Sequence, residues 1–344
     1  MSQVTRAIVL GLIAVALPAH SAAGQESVAA LASVVQDTSL APARAGDFPS
    51  PDRFDEDTVA FVARVNAWLI RYRVMAIRAL PGDEITIEVA GGEANQYRLR
   101  FAEGTARAAE APANWTWTAP DRAGTFAVRI ERSDGSSAIH LNVLVMVPRS
   151  EVKNGYLNGY PIGSYRAQAF RGLPRYLPPR GFAEVWAADE DILASPHFTI
   201  GQFLCKEPGE PRYVVLSTFL LLKLEAALRA ANQAGFATQS FNIMSGFRTP
   251  AYNRAIGNRT SYSRHLWGDA ADIYIDTDGD GIIDDLNGDG RSDIEDARVL
   301  ARVVDGMARQ APPGVIPGGL SVYRANPAHG PFVHVDTRGY RARW

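Results

Sequence analysis

The chain has 344 residues and a formal net charge of −2, with 35 Lys and Arg against 37 Asp and Glu. Its 47% hydrophobic and 21% charged residues exclude wholesale disorder, and the lack of any Lys/Arg-rich run excludes nucleic acid as an expected partner. A single cysteine, Cys205, rules out an intrachain disulfide, a cysteine-rich zinc site and an iron–sulfur cluster, and reads as a small buried residue.

In chain order, residues 1–23 come first and read as a secretory signal peptide. Arg6 supplies the positive start, Ala7 to Ala19 the short apolar run, and Ser21-Ala22-Ala23 the small residues for cleavage. The expected destination is across the inner membrane, in the periplasm or cell envelope. The longest later apolar run, Val214 to Leu222, has nine residues and stops at Lys223, against about 20 for a spanning helix, so no membrane span is expected in the mature protein. Residues 24–72 read as a flexible arm and a short helix from Asp55 to Tyr72, because Val59, Val62, Val65 and Leu69 recur at helical spacing.

Short alternating segments follow at Ile85–Val89, Tyr97–Phe101, Trp115–Trp117, Phe126–Ile130 and Leu141–Val145, punctuated by Pro81-Gly82, Gly91-Gly92, Pro120-Asp121 and Asp134-Gly135. This spacing predicts an Ig-like β-sandwich over residues 73–148. It contains no catalytic constellation; His140 reads as an edge or surface residue. Residues 149–197, rich in Gly, Pro, Tyr and Arg, read as an interdomain linker. Residues 198–344 are mixed α+β. A helix is expected from Pro211 to Gly235 and another from Pro250 to Ile256 with Thr249 as its cap. Strands are expected at Phe241–Ser245, Ala271–Ile275 and Phe332–Asp336. The chain therefore reads as multidomain, an N-terminal all-β sandwich followed by an α+β domain.

Two histidines in the last part stand in chemically suggestive settings. His265 lies in a Gly-containing loop seven residues before Asp272, which begins a strand. In the run Phe332-Val-His334-Val-Asp336, alternation puts Phe332, His334 and Asp336 on one strand face. Catalytic zinc takes three protein ligands of such types and leaves a fourth position for water. His265, Asp272 and His334 would supply such a set.

Ser263-Arg-His265-Leu-Trp-Gly268-Asp-Ala270-Ala-Asp272 carries the Ser-x-His-x-x-Gly-x-Ala-x-Asp signature and resembles the zinc D-alanyl-D-alanine carboxypeptidases and their murein endopeptidase relatives. Upstream, Ser245-Gly-Phe-Arg248-Thr-Pro-Ala-Tyr-Asn253 resembles the family's Ser-Gly-Tyr-Arg-Ser…Asn segment, and Phe332–Asp336 its third-ligand strand. The resemblance covers roughly residues 195–344 and implies a hedgehog-like zinc peptidase fold. It implies zinc at His265, Asp272 and His334, substrate held by Arg248, and a pocket rim shaped by Tyr262 and Ser263. The sequence departs from the carboxypeptidase pattern at Pro331, where those enzymes carry an acidic general base. His329 and Asp336 are the candidate replacements, and the departure favours the endopeptidase relatives.

A second run, 276–296, holds two acidic loops resembling EF-hand or dockerin-like calcium sites. The candidate ligands are Asp276, Asp278, Asp280 and Asp284, then Asp285, Asn287, Asp289, the Arg291 backbone, Asp293 and Asp296. Calcium there would be structural. The expected function is an exported zinc-dependent peptidase cleaving D-amino-acid-containing bonds in peptidoglycan peptide stems. The alternatives are a catalytically degenerate module that binds cell-wall peptides, and a calcium-dependent adhesion protein.

Overall fold

The computed structural model describes residues 33–48, 57–93, 95–310 and 312–344. The signal-peptide expectation falls on residues 1–23, outside the described residues. Ten strands open the chain: β1 Ser33–Gln36, β2 Thr58–Val65, β3 Trp68–Tyr72, β4 Val74–Ala79, β5 Glu84–Val89, β6 Tyr97–Phe101, β7 Thr105–Ala108, β8 Asn114–Thr118, β9 Gly124–Arg132 and β10 Ala138–Val145. They form two five-stranded sheets, ordered β1-β6-β9-β10-β4 and β3-β2-β5-β8-β7. Alternation builds both: on β8, Trp115 and Trp117 are fully buried while Thr116 between them is not. Buried residues of both sheets, among them Ile87, Trp115, Leu99 and Leu141, belong to one apolar cluster.

The helix expected over Asp55 to Tyr72 is instead the antiparallel pair β2 and β3. The reason is a second periodicity in the same residues. Phe61, Ala63 and Val65 alternate with exposed neighbours, and pairing with β5 buries that face. Asn66, at positive φ, turns the chain between the two strands.

A small antiparallel sheet follows, made of β11 Val147–Pro148, β12 Gly181–Val185 and β13 Arg212–Val214. The helix expected from Pro211 starts later, as α1 Thr218–Gln233, because Arg212–Val214 is drawn into pairing with β12. α1 buries Leu220, Leu224, Leu228 and Ala231 in the same apolar cluster, which thus crosses residues 148 and 197. Every described residue lies in one compact unit.

The last sheet comprises β14 Asn242–Ser245, β15 Ala270–Tyr274, β16 Gly319–Tyr323, β17 Phe332–Asp336 and β18 Ala342–Arg343, ordered β14-β15-β17-β16-β18. α2 Pro250–Ala255 is capped as expected, with the Thr249 hydroxyl accepting from the Tyr252 amide. α3 Ile294–Arg309 packs on β16 and β17 and starts from a reciprocal cap between Asp293 and Asp296. No helix among the described residues is long and apolar enough to cross a membrane.

Candidate metal centre

The strand register brings the two distant sequence signals together. Asp272 on β15 pairs directly with His334 on β17, so both side chains share one face. His265 arrives from the 3-10 turn Arg264–Trp267, which ends at Gly268. Gly268 has φ +62°, and a Cβ there would stand 1.6 Å from the Val215 carbonyl oxygen. Only glycine lets the turn sit this close to the start of α1, where the Gly268 carbonyl accepts from the Ser217 amide.

His265, Asp272 and His334 are all buried, and their ligand atoms lie within 4.8 Å of one another. His265 Nε2 stands 3.2 Å from His334 Nδ1 and 3.3 Å from Asp272 Oδ1, and His334 Nδ1 stands 2.8 Å from Asp272 Oδ1. A tetrahedron with metal–ligand distances of about 2.0–2.1 Å has edges of roughly 3.3 Å, so the three atoms fit one face of a zinc site.

The outer atoms are all occupied. His265 Nδ1 donates to the Gly246 carbonyl at 2.7 Å, and His334 Nε2 donates to Asp336 Oδ2 at 3.2 Å. Arg248 Nη2 donates to Asp272 Oδ2 at 2.6 Å, and its Nε donates to Ser245 Oγ at 2.7 Å. With the histidine protons spent outward, two imidazole lone pairs and a carboxylate oxygen converge inward. A cation satisfies that arrangement, and the residues fit zinc.

The electrostatics agree. Burial opposes a charge on His334, but hydrogen bonds and attraction from Asp272 and Asp336 raise it to about 9. Burial holds His265 below its usual value. Burial also works to raise Asp272, yet the two imidazoles keep its carboxyl far below the usual range. Without a cation, a proton on His334 takes the cation's place.

Asp336 is fully buried behind His334 and serves as its anchor. Its Oδ1 accepts from the Gly319 amide at 2.7 Å, and both its oxygens are clamped by Arg338. It therefore faces away from the converging atoms, which corrects the general-base expectation; a carboxylate saturated by donors has no lone pair left for a water. His329 is not a member of the converging group. It closes its own turn, accepting from Asn326 Nδ2 at 2.8 Å and donating from Nδ1 to the Gly330 carbonyl at 2.8 Å. Among the described residues no fourth His, Cys, Asp or Glu joins the group.

Tyr262 stacks on Trp267 with ring centroids 6.2 Å apart, and its hydroxyl donates to the Gln168 carbonyl. Ser263 opens the 3-10 turn, its carbonyl accepting from the Leu266 amide. Both shape the turn that carries His265. Sequence reasoning missed three residues. Arg338 continues the alternation from His334 through Asp336, a signal that was present. The buried Lys223, whose ammonium donates to the Asp336 carbonyl at 2.7 Å, and Trp344, whose ring lies 5.4 Å from that of His334, left no local signal.

In the acidic insertion, ligand atoms of Asp276, Asp278 and Asp284 lie within 4.8 Å of one another. Asp280, Asp285, Asp289, Asp293 and Asp296 do not join them. Their oxygens accept backbone amides of their own turns: Ile282 on Asp280, Gly290 on Asp285, Arg291 on Asp289, Glu295 on Asp293, and Leu286 and Asn287 on Asp296. Asn287 likewise accepts from the Asp289 amide.

Residues 204–282 match the model of the Peptidase M15 family. The matched stretch contains Arg248, His265 and Asp272 and ends before His334. No curated protein and no solved structure matches the chain. The family match supports a metallopeptidase that depends on zinc.

Proposed function

We propose that the protein is an exported zinc peptidase that cleaves D-amino-acid-containing peptide bonds of peptidoglycan stems, acting on cross-links as an endopeptidase. The observation that carries this reading is the convergence of His265 Nε2, Asp272 Oδ1 and His334 Nδ1 with every outer atom tied down. Zinc, when bound, supplies a Lewis acid for the scissile carbonyl and makes a water more acidic.

The chain's own residues do the remainder. Asp336 and the Gly246 carbonyl fix the two imidazoles in one tautomer and orientation. Arg248 holds Asp272 through Nη2, and its Nη1 has no acceptor among the described residues. That donor is free to take a substrate carbonyl or carboxylate. The two N-terminal sheets, read as an Ig-like sandwich, would position this domain on the wall. Calcium at Asp276, Asp278 and Asp284 would order the insertion between β15 and α3.

Pro331, where the carboxypeptidase pattern has an acidic residue, favours a second reading, a module that holds wall peptides without cutting them. Digestion of purified peptidoglycan with and without zinc separates the two, with muropeptides read by mass spectrometry and His265→Ala as the control. Zinc-dependent loss of cross-linked dimers is expected. Loss of a terminal D-alanine alone would make the protein a carboxypeptidase. Muropeptides unchanged by wild type would leave the binding module.

A further inference from the structure

One cavity is lined in part by Arg264 and Trp267, from the turn that carries His265. It has a volume of about 560 Å3, and its lining includes Arg78, Trp68, Phe219, Arg175, Arg264 and Trp267. None of the three residues that converge on the metal lines it.

Arg78 is the unusual member. It sits on β4, where Val74, Ala76 and Arg78 form one row by strand alternation. Val74 and Ala76 are buried, and the Thr218 hydroxyl of α1 donates to the Ala76 carbonyl. The third position of the row holds a cation, which lines the cavity. Among the described residues no hydrogen-bond acceptor meets the Arg78 guanidinium, and the carboxylate that attracts it, Asp269, is already paired with Arg264. Burial pulls it below the usual arginine value. Arg78 is half-buried, and a charge there with only a shared carboxylate costs free energy that an apolar side chain would avoid.

The other charges of the cavity compensate it only in part, since Asp269 attracts it while Arg180 and Arg264 repel it. Arg180 pairs with Asp83 at 2.8 Å, Arg264 with Asp269, and Glu84 with Arg107 at 2.8 Å. Arg175 spends one donor on the Thr337 carbonyl and shares the attraction of Asp269 with Arg264. Arg264 Nη1 is buried without a partner. The three carboxylates are thus each paired with another arginine, and Asp269 is shared with Arg78 and Arg175, so four arginines meet three carboxylates beside an indole wall and the Phe219 ring.

We propose that this cavity is a binding site for a small organic oxyanion, a carboxylate or phosphate monoester on an apolar or aromatic body, held by the Arg78 guanidinium. A planar fork of donors suits either oxyanion, and Trp68, Phe219 and Trp267 suit the body. Cations are disfavoured by Arg175 and Arg264 on the same wall.

Calorimetric titration of the purified protein with benzoate, phenyl phosphate and the neutral benzamide tests this. Saturable one-to-one binding is expected for at least one anion and not for benzamide. The better anion identifies the headgroup. Arg78→Met should weaken that binding by about tenfold to a hundredfold, and Arg78→Lys, which keeps the charge without the fork, by less. The same binding should persist in His265→Ala, which separates it from an anion held at the metal centre. Equal binding of benzoate and benzamide would overturn the proposal. So would wild-type affinity in Arg78→Met, loss of binding in His265→Ala, or no saturable binding of either anion.

Discussion

The metal centre and the acidic insertion are both rich in metal-ligating side chains, yet they are built in opposite ways. At the centre, outer atoms are anchored to the Gly246 carbonyl, Asp336 and Arg248, and the inner lone pairs are left pointing at one another. In the insertion most carboxylates face back onto amides of their own turns, as Asp285 does with Gly288 and Gly290. The first arrangement is incomplete without a cation. The second is largely satisfied by the backbone. Direction of lone pairs, rather than number of carboxylates, separates a preorganised site from a loop that folds on itself.

Removing a converging ligand tests the contrast most severely. His265→Ala should lower zinc-dependent muropeptide release by at least about a thousandfold, with the far-UV circular dichroism unchanged. Retained activity would show that the convergence is not what holds the metal. Next in size is the anchor. Asp336→Asn should weaken zinc by about tenfold to a hundredfold in a chelator competition, with Asp272, His265 and His334 all intact. An unchanged affinity would mean that the outer contacts are incidental.

The pH dependence sharpens the same point. His334 without metal is raised to about 9, so near neutral pH it carries a proton that zinc must displace. Zinc affinity should therefore rise by about tenfold per pH unit between pH 6 and 8, and flatten above about 9. A flat profile over that range would mean that His334 is already neutral. The smallest effect belongs to the insertion. Millimolar calcium should raise the melting temperature by roughly 2–5 °C, and Asp278→Asn should abolish the rise. No rise in wild type would leave the insertion held by its backbone contacts alone.

The sequence pointed to the centre chiefly through the resemblance carried by Ser263–Asp272, to which spacing and strand alternation alone added modest support. The spacing from His265 to Asp272 and the alternation through His334 each mark a strand or turn that presents a ligand. Which side of His334 its neighbour Asp336 would face was not legible. That depends on the amide of Gly319 and the side chain of Arg338, and on a register that no local pattern encodes. The misread segment around Phe61 shows the same limit. Val59, Val62 and Val65 fit a helical repeat as well as Phe61, Ala63 and Val65 fit a strand, and only pairing with β5 decides. Likewise, nothing near Arg78 signals that a cavity lies in front of it. Its walls come from segments as far along the chain as Phe219 and Trp267.

The cross-strand pairing of Asp272 with His334 bears on how such a protein can change over generations. The two ligands are 62 positions apart along the chain but 2.8 Å apart in space. The acidic insertion leaves the sheet at the end of β15, where the Asp284 amide donates back to the Ile275 carbonyl, and the chain rejoins the fold at α3. The register that sets Asp272 against His334 is held by the sheet itself, in the pairs Ala270 with Asp336 through Ile273 with Val333. The insertion is pinned to the fold at Ile283 and Asp296, and the exposed turns between them are where a change of length would least disturb the chemistry beside it.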